Sequence, residues 1–71
     1  MTEPTPAQRA CERIQALAQS QEHYCESEDA PCMVRDMLTD IRHFCEQQDV
    51  DFYRATHASY QVYLEEKLWL L

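Results

Sequence analysis

Four cysteines and three histidines are the side chains of this 71-residue sequence best suited to chemistry. The cysteines are nearly symmetric about an acidic stretch, so an antiparallel helical hairpin would allow two disulfides, Cys11 with Cys45 and Cys25 with Cys32. The phase disfavours the second bridge, because Cys32 and Cys45 are about 140° apart on an ideal helix. The alternative is reduced thiols packed as small apolar side chains, and the N-terminus favours it because it has no basic and apolar signal segment.

Two His-x-Cys pairs, His23 with Cys25 and His43 with Cys45, suggest a thiol or zinc site that Cys32 could complete. Residues two apart on a helix point about 200° away from each other, so neither pair can hold one ion within a helix. We therefore predict no metal site and no cofactor. A cysteine nucleophile with a histidine base would also need an oxyanion pocket, which no residue pattern indicates, so we expect no enzymatic activity.

Acidic side chains give the sequence a net charge of −7, and the whole excess lies between Glu22 and Asp51. This charge argues against a nucleic-acid partner, because phosphates are bound by clustered Lys and Arg. One interpretation is a solvated helix face. The other is an acidic surface that binds a protein with a basic groove. Its candidate residues are Glu26, Glu28, Asp29, Asp36, Asp40, Glu46, Asp49 and Asp51.

Helices are the elements that must position these groups, because a chain without glycine lacks the residue that tight hairpin turns most need. Thr5-Pro6-Ala7-Gln8 has the form of a capping box, and Asp29 and either Asp49 or Asp51 can cap later helices. Apolar spacing predicts helices over about 6–25, 31–48 and 52–69 in one domain, 1–71. We expect an all-α fold, a small three-helix bundle in which an antiparallel hairpin packs with an aromatic-rich C-terminal helix.

The third predicted helix carries more apolar surface than two neighbouring helices can cover. It holds five of the seven aromatic residues, and its apolar side chains form two bands. One interpretation places it centrally in the bundle, with the tyrosine hydroxyls reaching water. The other predicts a partner or homodimer interface made of Tyr53, Tyr60, Leu64, Leu68 and Trp69.

No run of residues approaches the roughly 20 apolar residues that a membrane span needs, so we predict a cytoplasmic protein without a membrane partner.

The segment from Asp36 to Cys45, followed by Val50-Asp51-Phe52 and then Tyr60 and Glu65, resembles small uncharacterised helical proteins of phages and plasmids. The likeness covers about residues 36–66, and the pattern D-x-L-x-D-I-x-H is its most recognisable part. The resemblance implies an accessory protein of a mobile element, a class that includes inhibitors of host enzymes and defence complexes, anti-CRISPR proteins among them.

Three hypotheses follow for the function. The first is an acidic protein that binds a host protein or defence complex and inhibits or modulates it. The second is a structural or regulatory homodimer formed through the third helix. The third is a thiol or zinc protein that uses Cys25, Cys32, His43 and Cys45.

Overall fold

The computed structural model describes residues 2–25 and 29–68, with only the backbone of Cys25. Within these residues the chain forms four helices and no strand: α1 (Pro6–Ser20), α2 (Glu22–Cys25), α3 (Ala30–Gln47) and α4 (Phe52–Leu68). The all-α prediction is confirmed. No helix among the described residues is long and apolar enough to cross a membrane.

The start of α1 is fixed by the predicted capping box. The Gln8 amide donates to Thr5 Oγ1 at 3.1 Å, and the Thr5 amide donates to Gln8 Oε1 at 2.8 Å. The helix ends earlier than the sequence predicts, because Gln21 is extended at φ −124° and ψ 119° and separates α1 from α2. The Ser20 hydroxyl donates to the Leu17 carbonyl at 2.8 Å, a bond that competes with helix continuation. The single helix predicted over 6–25 is therefore wrong.

Local hydrogen bonds also define the corner between α3 and α4. The Val50 amide donates to the Cys45 carbonyl at 2.8 Å, and Asp49 adopts a left-handed conformation with φ 56°. This bond is the 6→1 bond of a Schellman motif, with an aspartate where glycine is usual. Asp51 is the cap of α4, because its Oδ1 accepts from the Arg54 amide at 3.0 Å. Of the two aspartates offered by the sequence, Asp51 therefore caps and Asp49 turns the chain.

A cation–π contact reinforces this corner. The guanidinium carbon of Arg42 lies 4.2 Å from the centroid of the Phe52 ring and 5.6 Å from that of Tyr53. The contact joins the last turns of α3 to the first turn of α4 and keeps Phe52 half-buried.

The helices form an open arrangement. α1 contacts α2 and α4, and α3 also contacts α2 and α4, whereas direct packing of α1 on α3 is not among the main contacts of the described residues. The radius of gyration is 14.2 Å, compared with about 11 Å for a compact chain of this length. The solvent-accessible surface is 6478 Å², compared with about 4,600 Å² for a compact monomer of this mass.

The core is correspondingly small. Met37 and Cys45, both on α3 and each 6% exposed, are the buried side chains of the described residues. The apolar stripes that the sequence predicts on the first two long helices are present, but most of their members keep a large exposed fraction. These members are Ile14, Leu17, Val34, Leu38, Ile41 and Phe44.

We predict that Asp49→Gly stabilises the protein by roughly 0.5–1 kcal/mol, because glycine adopts a positive φ without the steric cost that a Cβ adds. The measurement is the free energy of unfolding in urea, followed by circular dichroism. Gln48→Gly is the matched control, because Gln48 has a negative φ of −99° and glycine there should lower stability. Equal effects of the two substitutions would contradict the prediction.

Candidate functional site

Large apolar and aromatic side chains of α4 remain exposed in the folded chain. Tyr53 is 72% exposed, Tyr60 and Leu68 are also exposed, and Leu64 is half-buried. Trp69, the fifth residue of the predicted interface, lies outside the described residues. The four described members therefore lie on the surface of a single chain, where a partner could contact them.

Ring contacts order the aromatic side chains along α4. The Tyr60 and Tyr63 rings stack with centroids 6.2 Å apart and an interplanar angle of 28°. The Lys67 ammonium lies 5.8 Å from the Tyr63 centroid, and Phe52 meets Tyr53 edge-on at 5.8 Å. These contacts are all within one helix. They reduce the freedom of the rings without removing them from water.

The predicted acidic surface is largely used by contacts within the chain. Asp29 caps α3 by accepting from the Cys32 amide at 2.9 Å, as Asp51 caps α4. Asp36 forms an ion pair with Arg35 at 3.1 Å. Asp40 accepts a hydrogen bond from Tyr24. The remaining predicted members are Glu46 and Asp49, both exposed, and Glu26 and Glu28, which lie outside the described residues.

The bond between Tyr24 and Asp40 joins two helices. The Tyr24 hydroxyl donates to Asp40 Oδ2 at 2.6 Å, which connects α2 to α3 across 16 residues of sequence. The hydrogen bond to Asp40 raises the pKa of Tyr24 above its ordinary value of 10.0, and desolvation and the neighbouring carboxylates add to the increase. Nothing in the sequence pattern indicates this pair, since the two residues meet only in the folded chain.

The cysteines differ in their surroundings. Cys11, Cys32 and Cys45 are free thiols that are exposed, half-buried and buried, whereas the side chain of Cys25 is not among the described ones. A side-chain hydrogen bond with Asp29 raises the pKa of Cys32 and lowers the pKa of Asp29. The free thiols of Cys11, Cys32 and Cys45 accord with the reduced alternative, and the two disulfide pairings that the sequence also allows stay predictions.

The residues of the predicted thiol or zinc site are only partly described, since the side chain of Cys25 is not among the described ones. No group of three or more His, Cys, Asp or Glu side chains in residues 2–24 and 29–68 is arranged to hold a metal ion. Among the same residues, no hydrogen bond joins a cysteine to a histidine; His23 instead contacts the Tyr24 ring, with centroids 5.4 Å apart.

Clefts lie between α1 and the C-terminal half of α4. One, of about 500 Å³, is lined by Pro6 and Val62 and by charges of both signs, from Arg9, Arg13, Glu65 and Glu66. A neighbouring cleft of about 380 Å³ is lined by Pro6, Ala7, Ala10, Tyr63, Glu66 and Lys67. The α4 residues that face α1 across these clefts are Val62, Tyr63, Glu65, Glu66 and Lys67, and all of them remain exposed.

No protein-family model, curated protein or solved structure matches this chain. The resemblance to small proteins of phages and plasmids therefore stays a prediction, as do the inhibitor and anti-CRISPR functions that it implies.

We predict that Asp40→Asn lowers the pKa of Tyr24 toward 10.0, because the carboxylate is the main cause of the increase. In the folded state the pKa of Tyr24 lies above its value in the unfolded chain. The Tyr24–Asp40 hydrogen bond therefore stabilises the contact of α2 with α3 fully at pH values below 10.0, and this stabilisation is lost as the pH rises through the raised pKa. The measurement is an absorbance titration of the four tyrosines, with Glu46→Gln as the control that should titrate like the wild type. Identical curves for all three proteins would contradict the prediction.

We predict that iodoacetamide modifies Cys11 before Cys32 and Cys45 in the folded protein, since Cys11 is exposed, the pKa of Cys32 is raised and Cys45 is buried. Mass spectrometry of a time course measures the order, and urea should abolish it. Asp29→Asn keeps a capping side chain but removes the charge, so it should increase the rate at which iodoacetamide modifies Cys32 and leave the rates of the other thiols unchanged. An unchanged Cys32 rate in that variant would show that Asp29 does not control the thiol.

Proposed function

We propose that this chain is a non-enzymatic protein–protein interaction protein that binds through the apolar side chains its own helices leave uncovered. The observation that carries the proposal is the excess of exposed surface, about 1,900 Å² beyond a compact monomer of the same mass. A standard protein interface buries about 800 Å² on each partner. The excess is therefore large enough for a stable interface.

The type of side chain that is exposed supports the same function. Monomeric proteins expose single apolar residues, but large contiguous patches are typical of interaction sites. The exposed large apolar side chains lie on three helices and on the corner between two of them. They are Ile14, Leu17, Val34, Leu38, Ile41, Phe44, Val50, Tyr53, Tyr60, Val62, Tyr63 and Leu68. Tyrosine is also among the residues that contribute most to binding at interfaces.

The antiparallel hairpin and three-helix bundle belong to this proposal as properties of the bound state. The inner faces of α1 and α3 carry Ile14, Leu17 and Ile41, all about half exposed. Their burial on binding would complete a core that Met37 and Cys45 only begin.

A second candidate keeps the acidic surface as the main contact and a host protein or defence complex with a basic groove as the partner. The net charge of −7 and the exposed carboxylates of Glu46 and Asp49 favour it. We place it second because Asp29, Asp36 and Asp40 already accept hydrogen bonds or pair within the chain. In this form the protein would inhibit or modulate its partner.

We predict that Tyr60→Ala weakens partner capture at least tenfold, because it removes an aromatic side chain from the exposed face of α4. The measurement is affinity capture from the native host by tagged chain, with each bound protein quantified by mass spectrometry. Gln61→Ala is the matched control on the adjacent position, and circular dichroism checks that both variants remain helical.

The outcomes separate the two candidates. Capture that survives high salt and fails in Tyr60→Ala supports the apolar surface, whereas capture lost in high salt and kept in Tyr60→Ala supports the acidic one. A wild-type chain that binds neither a host protein nor itself would contradict the proposed function.

A further inference from the structure

A row of α4 side chains has the spacing of a helix–helix contact. Tyr53, His57, Tyr60, Leu64 and Leu68 are separated by four, three, four and four residues, close to the alternation of a coiled-coil seam. On a helical wheel the five lie within an arc of about 80°. We name this row the α4 seam. His57 joins it through its spacing, and it too is exposed.

We propose that the α4 seam binds the same seam of a second copy of this chain, with the two α4 helices antiparallel. This inference rests on the proposed function and names its partner. Three observations favour a second copy: four of the five seam side chains are exposed, the seam carries no acidic side chain, and its flanking charges are self-complementary in one register.

α1 leaves most of the seam exposed: Leu64 is half-buried and the other four members are exposed. The clefts between α1 and α4 are lined by Val62, Tyr63, Glu65, Glu66 and Lys67, which centre on the Glu66 side of the helix. Glu66 lies about 160° around the helix from the middle of the seam, whereas Lys67 lies at the edge of the seam, about 20° from Tyr60. A second helix can therefore approach the seam from the side that faces away from Glu66.

The composition of the seam suits self-association of an acidic molecule. Two chains of net charge −7 repel each other, and a contact surface whose centre has no carboxylate adds least to that repulsion. Both acidic residues of α4, Glu65 and Glu66, lie outside the seam, about 100° and 160° from its middle. A basic partner protein, in contrast, would have no carboxylate to bind along the α4 seam.

The flanking charges define a register. If two antiparallel α4 helices cross with Tyr60 opposite Tyr60 of the copy, positions whose numbers sum to about 120 face each other. Arg54 and Glu65 lie on the same flank of the seam and sum to 119, so each Arg54 would meet Glu65 of the other copy. Because the dimer would have two-fold symmetry, the Arg54–Glu65 pair would form twice. On the other flank, Lys67 would lie against Tyr53 of the copy.

Among residues 2–24 and 29–68, no ion pair or side-chain hydrogen bond involves the side chain of Arg54 or of Glu65. The ion pair of the described residues is Arg35 with Asp36, and neither Arg9 nor Arg13 forms one with Glu65, although they line the same cleft. Arg54 and Glu65 are both exposed.

The first test is the mass of the full chain under reducing conditions, measured by sedimentation equilibrium over a range of concentrations. We expect twice the 8.4 kDa mass of one chain and a thermal midpoint that rises with concentration. Tyr60→Asp should give a helical monomer, because it places two carboxylates at the symmetry axis. The control Ala58→Asp adds the same charge away from the seam and should remain a dimer.

The second test is a charge exchange that addresses the register. Arg54→Glu and Glu65→Arg should each weaken the dimer about tenfold, and the double exchange should restore the wild-type affinity within about twofold. Additive losses in the double variant would overturn the antiparallel register. A dimer that survives Tyr60→Asp, or dissociates equally with Ala58→Asp, would overturn the seam.

A monomeric wild type overturns the self-association, and a hydrophobic dye then decides about the proposed function. A monomer that binds the dye retains an uncovered apolar surface and leaves the proposed function in place for a different partner. A monomer that binds no dye has buried that surface within itself, and both inferences fail together.

Discussion

The burial of apolar side chains limits everything else that this chain does. Seventy-one residues can form three long helices with apolar surface on each, but the helices expose about 1,900 Å² more than a compact chain would. Hydrophobic burial is the main favourable term in folding, so a chain that completes so little of it alone has only a narrow margin of stability. The proposed association would remove part of the remaining surface from water.

Local hydrogen bonds define the ends of the helices, whereas the small core contributes little to their packing. The Thr5 capping box, the Asp29 and Asp51 caps and the left-handed Asp49 fix where helices begin and end without help from distant residues. Arg42 over Phe52 and Tyr24 with Asp40 then connect neighbouring helices through polar contacts. Individual helices are thus well defined, while the packing between them is open enough for a partner to change.

The difference between local helix ends and the packing between helices explains what could be predicted from the sequence. The caps at Thr5 and Asp29 were predictable because donor and acceptor are three residues apart, and the all-α fold followed from apolar spacing. The Tyr24–Asp40 bond and the exposure of Ile14 were not, because they depend on where helices lie relative to each other. The break at Gln21 was not predicted either, because the apolar spacing continues through it. Periodicity identifies an apolar face, but it does not say whether that face is covered.

The acidic residues bear both on the helix ends and on the surfaces that the chain exposes. Asp29, Asp49 and Asp51 serve helix ends and turns, where a chain without glycine has few other choices, so part of the charge of −7 follows from how the helices are joined. That charge also bears on the proposed self-association, because repulsion between like-charged copies is smallest where their contact surfaces have few carboxylates. The side of α4 that carries Tyr53, Tyr60 and Leu68 has none, since Glu65 and Glu66 lie on the side that lines the cleft with α1. Helix capping and the proposed choice of contact surface would therefore both follow from the same residue composition.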